Sequence, residues 1–341
     1  MDRFLSLAGF LAMLLLAWLL GPRSRPSLRL VVGASALQLG LAVFVLETPP
    51  GRELFAGIGT AITRLLGFVD DGTRFLFGPD LASLIAFKIL PTLVFFSVLT
   101  AIGYHLRVLP IIVRAIGWAM SRTLGTSGAE SLAAAANIFV GPTEAPLAVR
   151  PYLEGMTRSE LMSLLVGGFA TIAGGVLAVY VAMGIDATHL VTASVISAPA
   201  ALLVAKLLVP EREEPPTSRG AKIIHERETR NVFHAVTVGA TEGVRLAVNV
   251  GAMLLVFVAL VALANAIIGG VLGEHWTLER IFGHLFAPIA WLLGVPWDDC
   301  GRVGELLGIK VVLNEFLAYE RLAEWQGLAD SPRLTERSEI I

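Results

Sequence analysis

Residues Gly125–Arg150 read GTSGAESLAAAANIFVGPTEAPLAVR, and this stretch decides the fold of the chain. Ser127 and Glu130 form the S-x-x-E pattern of a capping box, which predicts that a helix begins here. The alanine-rich run that follows winds readily, but Pro142 donates no backbone N–H and its ring clashes with the preceding turn. The first helix is therefore predicted to break at Gly141-Pro142.

A second short helix is expected directly after the break, because Thr143 can cap it and Glu144 falls in its first turn. The two helices would meet at a polar centre formed by Asn137, Thr143 and Glu144, between apolar flanks. In a membrane, non-helical backbone is tolerated only where protein buries it or where it lines a cavity. Broken helices of this kind are typical of the binding sites of transporters.

The composition predicts a membrane protein. Hydrophobic residues make up 55% of the chain and charged residues 16%, and the mean hydropathy is +0.74. The net charge of −2 supplies no basic face for nucleic acid, so no nucleic-acid partner is expected. The single cysteine, Cys300, excludes an internal disulfide and a cysteine-rich metal site.

Apolar segments of spanning length recur along the whole chain. A further segment, Arg52–Phe68, is amphipathic and is predicted to lie in the membrane interface. Two segments, Ser127–Leu153 and Leu278–Val295, contain Gly and Pro breaks and are predicted to be re-entrant hairpins. The predicted spans are Phe4–Leu20, Leu28–Leu46, Phe87–His105, Glu160–Ile185, Leu190–Val209, Arg245–Leu272 and Val303–Leu322.

Basic residues set the orientation of these spans. They cluster after the first span, on both sides of the first hairpin, in the loop 210–231 and after the last span. All these groups can lie in the cytoplasm if the two hairpins enter from opposite sides, which places the N-terminus outside. Hairpins of opposite orientation indicate an inverted repeat.

Polar residues within the apolar segments are the candidate functional residues. Thr171 lies near the middle of the fourth span, where its hydroxyl can face the first hairpin. Glu144 and Glu315 would be costly to bury in ionised form, so a binding role is favoured over a structural ion pair with Arg150 or Lys310. Gly167, Thr171 and Gly175 fall four apart, a spacing that also suits plain helix packing.

Two lysines have no predicted functional role, and several enzyme motifs are absent from the sequence. Lys88 and Lys206 lie near helix ends and are predicted to snorkel without a functional role. The sequence contains no G-x-x-x-x-G-K-[ST], no H-E-x-x-H and no G-x-S-x-G motif. These absences argue against direct use of ATP and against an intramembrane hydrolase, so the chain is not expected to be an enzyme.

Several sequence blocks resemble the concentrative nucleoside transporters. They include SRTLGTSGAES, AAANIFVGPTEAPLAVRPYL, GGFATIAGGVLA, LFAPIAWLLGVPW and GIKVVLNEFLAY, in order between Phe87 and Tyr319. The resemblance implies an all-α polytopic membrane protein, an inverted repeat with two re-entrant hairpins and broken transmembrane helices. It also implies a homotrimer in the inner or plasma membrane, in contact with lipid, that imports nucleosides by alternating access. No cofactor is implied beyond a coupling cation, Na⁺ first and H⁺ as the alternative through Glu144 or Glu315.

The resemblance also assigns roles to particular residues. Thr143 and Glu144 would contact the nucleobase, Val176 would form an apolar wall, and Glu315 would accept hydrogen bonds from the ribose. Pro142 stands where the family commonly has Gln, which leaves base preference open. The sodium ligands implied are Asn137, Val140, Thr143, Thr171 and Ile172.

The domain organisation follows from the same comparison. Residues 1–106 would be mostly scaffold, 107–209 and 276–325 the transport domain, 210–244 a cytoplasmic connector and 245–275 a scaffold span. Family members continue with a further helix after the polar tail 326–341. A form that lacks that helix is expected to transport poorly, which gives a second hypothesis: a solute-binding or sensor membrane protein.

Overall fold

The computed structural model describes residues 2–82, 84–142, 145–218, 229–327 and 334–341. All regular secondary structure in these ranges is helical. The N-terminal helices are α1 (Asp2–Leu20), α2 (Leu28–Glu47), α3 (Pro49–Ala82), α4 (Ile85–His105) and α5 (Val108–Leu124). The central helices are α6 (Gly128–Asn137), α7 (Ala145–Ala148), α8 (Arg158–Ala170), α9 (Gly174–Ala182) and α10 (Ala187–Leu208), with a 3-10 helix at Arg150–Gly155. The C-terminal helices are α11 (Val232–Leu272), α12 (Leu278–Leu293), α13 (Trp297–Val312), α14 (Glu315–Gly327) and α15 (Glu336–Ile340).

The helices form two compact units. The larger unit comprises Leu16–Ala182 and Asp186–Ala247. The smaller unit comprises Met1–Leu15, Met183–Ile185 and Val248–Ile341.

Helix α6 is the core of the larger unit. It packs against α5, α8 and α10, and every side chain from Ala129 to Asn137 is buried. Its sequence is made mostly of small residues, which let neighbouring helices approach closely on all sides.

The contact between α4 and α11 also depends on small residues. Ala235, Gly239, Gly243 and Ala247 are the buried residues of α11, and they recur at every fourth position. A Cβ atom at Gly243 would lie 2.6 Å from the Cα atom of Val94 on α4. The two backbones are therefore in direct contact along this seam.

The capping box predicted at Ser127 and Glu130 is confirmed, since both of its reciprocal hydrogen bonds are present. The first helix ends earlier than predicted, at Asn137, and the chain becomes helical again at Ala145. Helix winding therefore stops four residues before Gly141, so the break covers a segment and not only the Gly-Pro pair.

The fourth predicted span, Glu160–Ile185, is not one continuous helix. Helix α8 ends at Ala170 and α9 begins at Gly174, with Thr171 in an extended conformation (φ −117°, ψ 155°). No proline causes this break. Glycines on both sides, at 167–168 and 174–175, weaken the helix there, and the first hairpin packs closely against it at Gly168 and Gly174.

The amphipathic segment predicted at Arg52–Phe68 belongs to a longer helix, α3. This helix changes direction at Gly78, whose φ of 78° is open to glycine without strain.

In the smaller unit, α12 and α13 form a helical pair bent by 116°. The prediction that Leu278–Val295 is itself the broken hairpin was wrong, because α12 continues through Pro288. The turn lies at Gly294, which caps α12 in the left-handed conformation with φ 99°. The bent pair therefore comprises α12 together with α13.

The last predicted span, Val303–Leu322, is divided between α13 and α14. Leu313 leaves the helical conformation, and Asn314 starts the next helix because its Oδ1 accepts the backbone N–H of Leu317 at 2.9 Å.

The protein is a multi-pass membrane protein. In the part of the chain that the structure describes, five helical segments are long and apolar enough to cross a membrane when α8 and α9 are counted as one, or six if the bent α12–α13 pair also counts as one span. Only 6% of the most apolar window of α11 is buried within the chain, which leaves the rest of that helix for lipid or other protein.

Candidate functional site

The two helix breaks of the larger unit meet face to face. A Cβ atom at Gly174, the first residue of α9, would lie 2.4 Å from the carbonyl oxygen of Phe139. A Cβ atom at Gly168 would lie 2.8 Å from Cβ of Pro142. The segment that follows α6 is therefore held directly against the segment that joins α8 to α9, and only glycine permits this approach.

Asn137 ends α6 at this junction, and its side chain is completely buried. Among the described residues, neither its Oδ1 nor its Nδ2 atom has a hydrogen-bond partner. A Cβ atom at Gly167 would lie 2.9 Å from that Nδ2 atom, which places the amide beside the last turn of α8. An unsatisfied buried polar group costs about 1–3 kcal/mol, so this amide is suited to a ligand.

Thr171 follows Gly167 by four residues and lies at the same junction. It is buried, and its hydroxyl donates a hydrogen bond to the carbonyl oxygen of Gly167 at 2.8 Å. With its proton used in this way, the hydroxyl oxygen keeps its lone pairs for an acceptor role. Val140 and Ile172 are also buried and carry apolar side chains, so each can offer only a backbone carbonyl.

The C-terminal ends of two helices and the N-terminal end of α9 meet at the junction, and the two C-terminal ends can attract a cation. Helices α6 and α8 both end here, and the last carbonyl groups of a helix carry partial negative charge. Neutral oxygen atoms of amide, hydroxyl and carbonyl groups are the ligands that hard cations prefer. In the described ranges, no group of three His, Cys, Asp or Glu side chains forms a site for a multivalent metal.

A cavity of about 750 Å³ opens beside the junction, within the larger unit. Val140, Gly141 and Val176 line it on the junction side. Its volume lies in the range of sites for small organic molecules. The polar side chains of its wall come from several elements and include Ser97, Thr100, Tyr104, His105, Arg150, Glu154, Thr229 and Glu242.

The structure brings together only some of the predicted site residues. Asn137, Val140, Thr171 and Ile172 lie at the junction, Pro142 is exposed beside it, and Val176 lines the cavity. Thr143 and Glu144 lie outside the described residues.

Glu315 belongs to the smaller unit and is the first residue of α14. Its Oε2 atom lies 3.8 Å from Nζ of Lys310, so the ion pair considered as a structural alternative is present. The side chain of Glu315 is 24% exposed, which leaves it accessible to a solute as well.

Sequence reasoning missed a buried polar cluster at the opposite ends of α6 and α8. Lys206, which was predicted to snorkel, is only 7% exposed and lies 2.7 Å from Glu130 and 3.2 Å from Glu211. That prediction was wrong because its partners come from other elements. A local signal was available, since Thr157 and Glu160 repeat the capping-box pattern of Ser127 and Glu130.

Three family models together match nearly the whole chain. A model described as "Na+ dependent nucleoside transporter N-terminus" matches residues 8–80, and one described as "Nucleoside recognition" matches residues 86–187. A model described as "Na+ dependent nucleoside transporter C-terminus" matches residues 189–341.

Relatives with matching names agree with these family models. The chain is 40% identical to the nucleoside permease NupC of Helicobacter pylori, over 98% of this chain and 83% of that protein. It is 39% identical to the sodium/nucleoside cotransporter 1 of Mus musculus, over 95% of this chain and 51% of that protein. The chain thus spans about half the length of this animal relative.

Solved structures of CNTnw share the fold. The inward-facing, substrate-bound structure is 41% identical, with a TM-score of 0.93 over 100% of this chain and 84% of that one. A double variant in an outward-facing state is 40% identical, with a TM-score of 0.94 over 100% of this chain and 85% of that one.

Proposed function

The chain belongs to the Na⁺-dependent nucleoside transporter family, whose members are transporters and not enzymes, and from this premise we propose that it imports nucleosides by cation-coupled alternating access. The similarity to both inward-facing and outward-facing structures of CNTnw supports an alternating-access mechanism. Sodium is the proposed coupling ion, and the relatives named as sodium/nucleoside cotransporters support that choice.

The buried amide of Asn137, which has no hydrogen-bond partner among the described residues, carries this proposal. It lies buried where two helices end, beside Gly167, whose carbonyl oxygen accepts the hydroxyl of Thr171, and a cation there would satisfy Oδ1 and the helix-terminal carbonyls together. The proposed sodium ligands are the side chains of Asn137, Thr143 and Thr171 and the carbonyl groups of Val140 and Ile172.

The nucleoside is proposed to bind beside this ion. Val176 would pack against the apolar face of the base, and its position in the cavity wall supports that role. Pro142, Thr143 and Glu144 would face the base from the hairpin. Glu315 would accept hydrogen bonds from the ribose hydroxyls, since a carboxylate makes short and strong bonds to such donors.

The proposed setting is the inner or plasma membrane, with lipid around the exposed helices and the N-terminus outside. The distribution of basic residues supports this orientation. The helix pair α12–α13, bent by 116°, and the α6–α7 segment are proposed to be re-entrant hairpins of an inverted repeat. The active form is proposed to be a homotrimer.

Uptake in proteoliposomes tests the function. Purified protein would be given radiolabelled uridine or adenosine under an inward sodium gradient, with choline replacing sodium in the control. We expect uptake that requires sodium and that disappears in Glu315→Gln, whereas Glu274→Gln, a change in an exposed loop, should transport normally. Uptake driven by a proton gradient in the absence of sodium would make H⁺ the coupling ion in place of Na⁺. The absence of uptake under any gradient would contradict the proposal.

A further inference from the structure

Two capping boxes lie side by side at the N-terminal ends of α6 and α8. In the first, Glu130 Oε1 accepts the backbone N–H of Ser127 at 2.7 Å, and in the second, Glu160 Oε2 accepts that of Thr157 at 2.9 Å. Both glutamates are almost completely buried, with exposures of 2% and 0%.

Each box is bonded to the other. The Ser127 hydroxyl donates to Oε1 of Glu160 at 2.5 Å, and the Ser163 hydroxyl of α8 donates to Oε2 of Glu130 at 2.9 Å. Both bonds join α6 to α8, so neither helix can slide along the other without breaking them.

Lys206 of α10 completes the arrangement. Its Nζ atom lies 2.7 Å from Oε2 of Glu130, and it donates to Oγ of Ser159 at 2.8 Å and to Oε2 of Glu211 at 3.2 Å. This one cation therefore connects the first hairpin, α8, α10 and the start of the following loop. Removal of one partner from a buried ion pair leaves an uncompensated charge, so the geometry of the cluster depends on Lys206.

The loop that follows α10 closes over the cluster. Thr217 is buried, its carbonyl oxygen accepts the N–H of Gly128 at 2.9 Å, and its hydroxyl accepts that of Ala129 at 3.0 Å. The start of the predicted cytoplasmic connector, residues 210–244, thus covers the first N–H groups of α6.

The same two helices run from this cluster to the ion junction. Helix α6 extends for 10 residues and ends at Asn137, and α8 extends for 13 residues and ends next to Thr171. At 1.5 Å per residue these lengths are about 15 Å and 20 Å. Because short, closely packed helices are stiff, a displacement at the cluster reaches the junction with little loss.

We propose that Lys206 is a positioning residue, which fixes the register of α6 against α8 and thereby holds Asn137 and Thr171 together as one cation site. The inference rests on the proposed sodium site and adds a residue far from it. Lys206 touches neither the ion nor the nucleoside, so its substitution acts on ion affinity through the two helices.

The test compares Lys206→Met with Lys206→Arg, and with Lys88→Met on α4 as a control for the loss of a lysine outside the cluster. Sodium-dependent uridine uptake is measured against sodium at saturating uridine and against uridine at saturating sodium. Lys206→Met should raise the half-saturating sodium concentration about tenfold, in line with known effects of distant positioning residues. The KM for uridine should stay unchanged, and Lys206→Arg should restore most of the sodium affinity.

A purely structural role would give a different result. If Lys206 only stabilised the fold, Lys206→Met would lower the maximal uptake rate and the melting temperature. The half-saturating sodium concentration and the KM for uridine would then stay unchanged, and this result would overturn the inference. If Lys206→Met does not fold, Glu211→Gln keeps the inner ion pair and should still raise the half-saturating sodium concentration, by about threefold. An unchanged sodium curve in that variant also overturns the inference. Wild-type uptake that does not depend on sodium overturns the proposed sodium site on which the inference rests, and the absence of uptake under any gradient overturns the proposed function itself.

Discussion

The glycine at the start of α9 offers a sharp test of the junction. In Gly174→Ala the new Cβ atom would lie 2.4 Å from the carbonyl oxygen of Phe139. The conformation of Gly174 is not left-handed, so alanine meets no backbone strain there and the collision is the whole effect. Because the obstructing atom belongs to the backbone, no side-chain rotation can relieve it.

The magnitude follows from that distance. An ordinary contact needs about 3.4 Å or more, so the two segments must separate by about 1 Å. Overpacking of this kind costs about 1–3 kcal/mol. If this separation moves the proposed ion ligands apart, the half-saturating sodium concentration should rise by a factor of about 5 to 150.

The neighbouring glycine is a matched control. A Cβ atom at Gly175 would have its nearest neighbour, Cβ of Phe96, at 3.9 Å, which is ordinary contact. Both variants would be assayed for sodium-dependent uridine uptake in proteoliposomes and for melting temperature. If Gly174→Ala and Gly175→Ala gave the same sodium curves, the close approach of the two helix breaks would not matter for ion binding.

Variants at three residues probe the same region and the polar cluster. Asn137→Ala should abolish sodium dependence yet raise the melting temperature measured without sodium, because it removes two buried polar atoms that have no partner among the described residues; a lower melting temperature would contradict this. Thr171→Ala should raise the half-saturating sodium concentration, whereas Thr171→Ser, which keeps the hydroxyl, should leave the sodium curve near that of the wild type. Burial alone would raise the pKa of Glu211, but the hydrogen bond from Thr157 and the charge of Lys206 outweigh it and hold that pKa below its ordinary value. The stabilisation from Glu211 is therefore present above the ordinary carboxyl pKa and is lost as pH falls through the lowered value, so Glu211→Gln should flatten the decline of melting temperature in acid.

Features with a local cause could be predicted from sequence. The capping box at Ser127 and Glu130 depends on residues three apart, and the structure has it as predicted. The need for a break near Pro142 likewise follows from the chemistry of one residue. The position at which winding stops, Asn137, depends instead on the helices packed around α6.

Features with a tertiary cause could not be predicted in the same way. The break after Ala170 contains no proline, and the first hairpin, which is distant in sequence, packs against it at Gly168 and Gly174. Pro288 was expected to break a helix and does not, since the turn lies at Gly294. Lys206 appears at the end of an apolar run, and only the fold reveals the carboxylates that surround it.

Helix α6 has no outward face. Every residue of α6 from Ala129 to Asn137 is buried by protein. In α11 the buried residues form a single stripe that recurs at every fourth position. Random substitution should therefore distinguish these two helices: larger side chains would be rejected along the whole of α6, whereas contacts within the chain would exclude them from α11 only at the buried stripe. The tolerance of α6 to change is set by neighbouring backbones and not by the surrounding lipid.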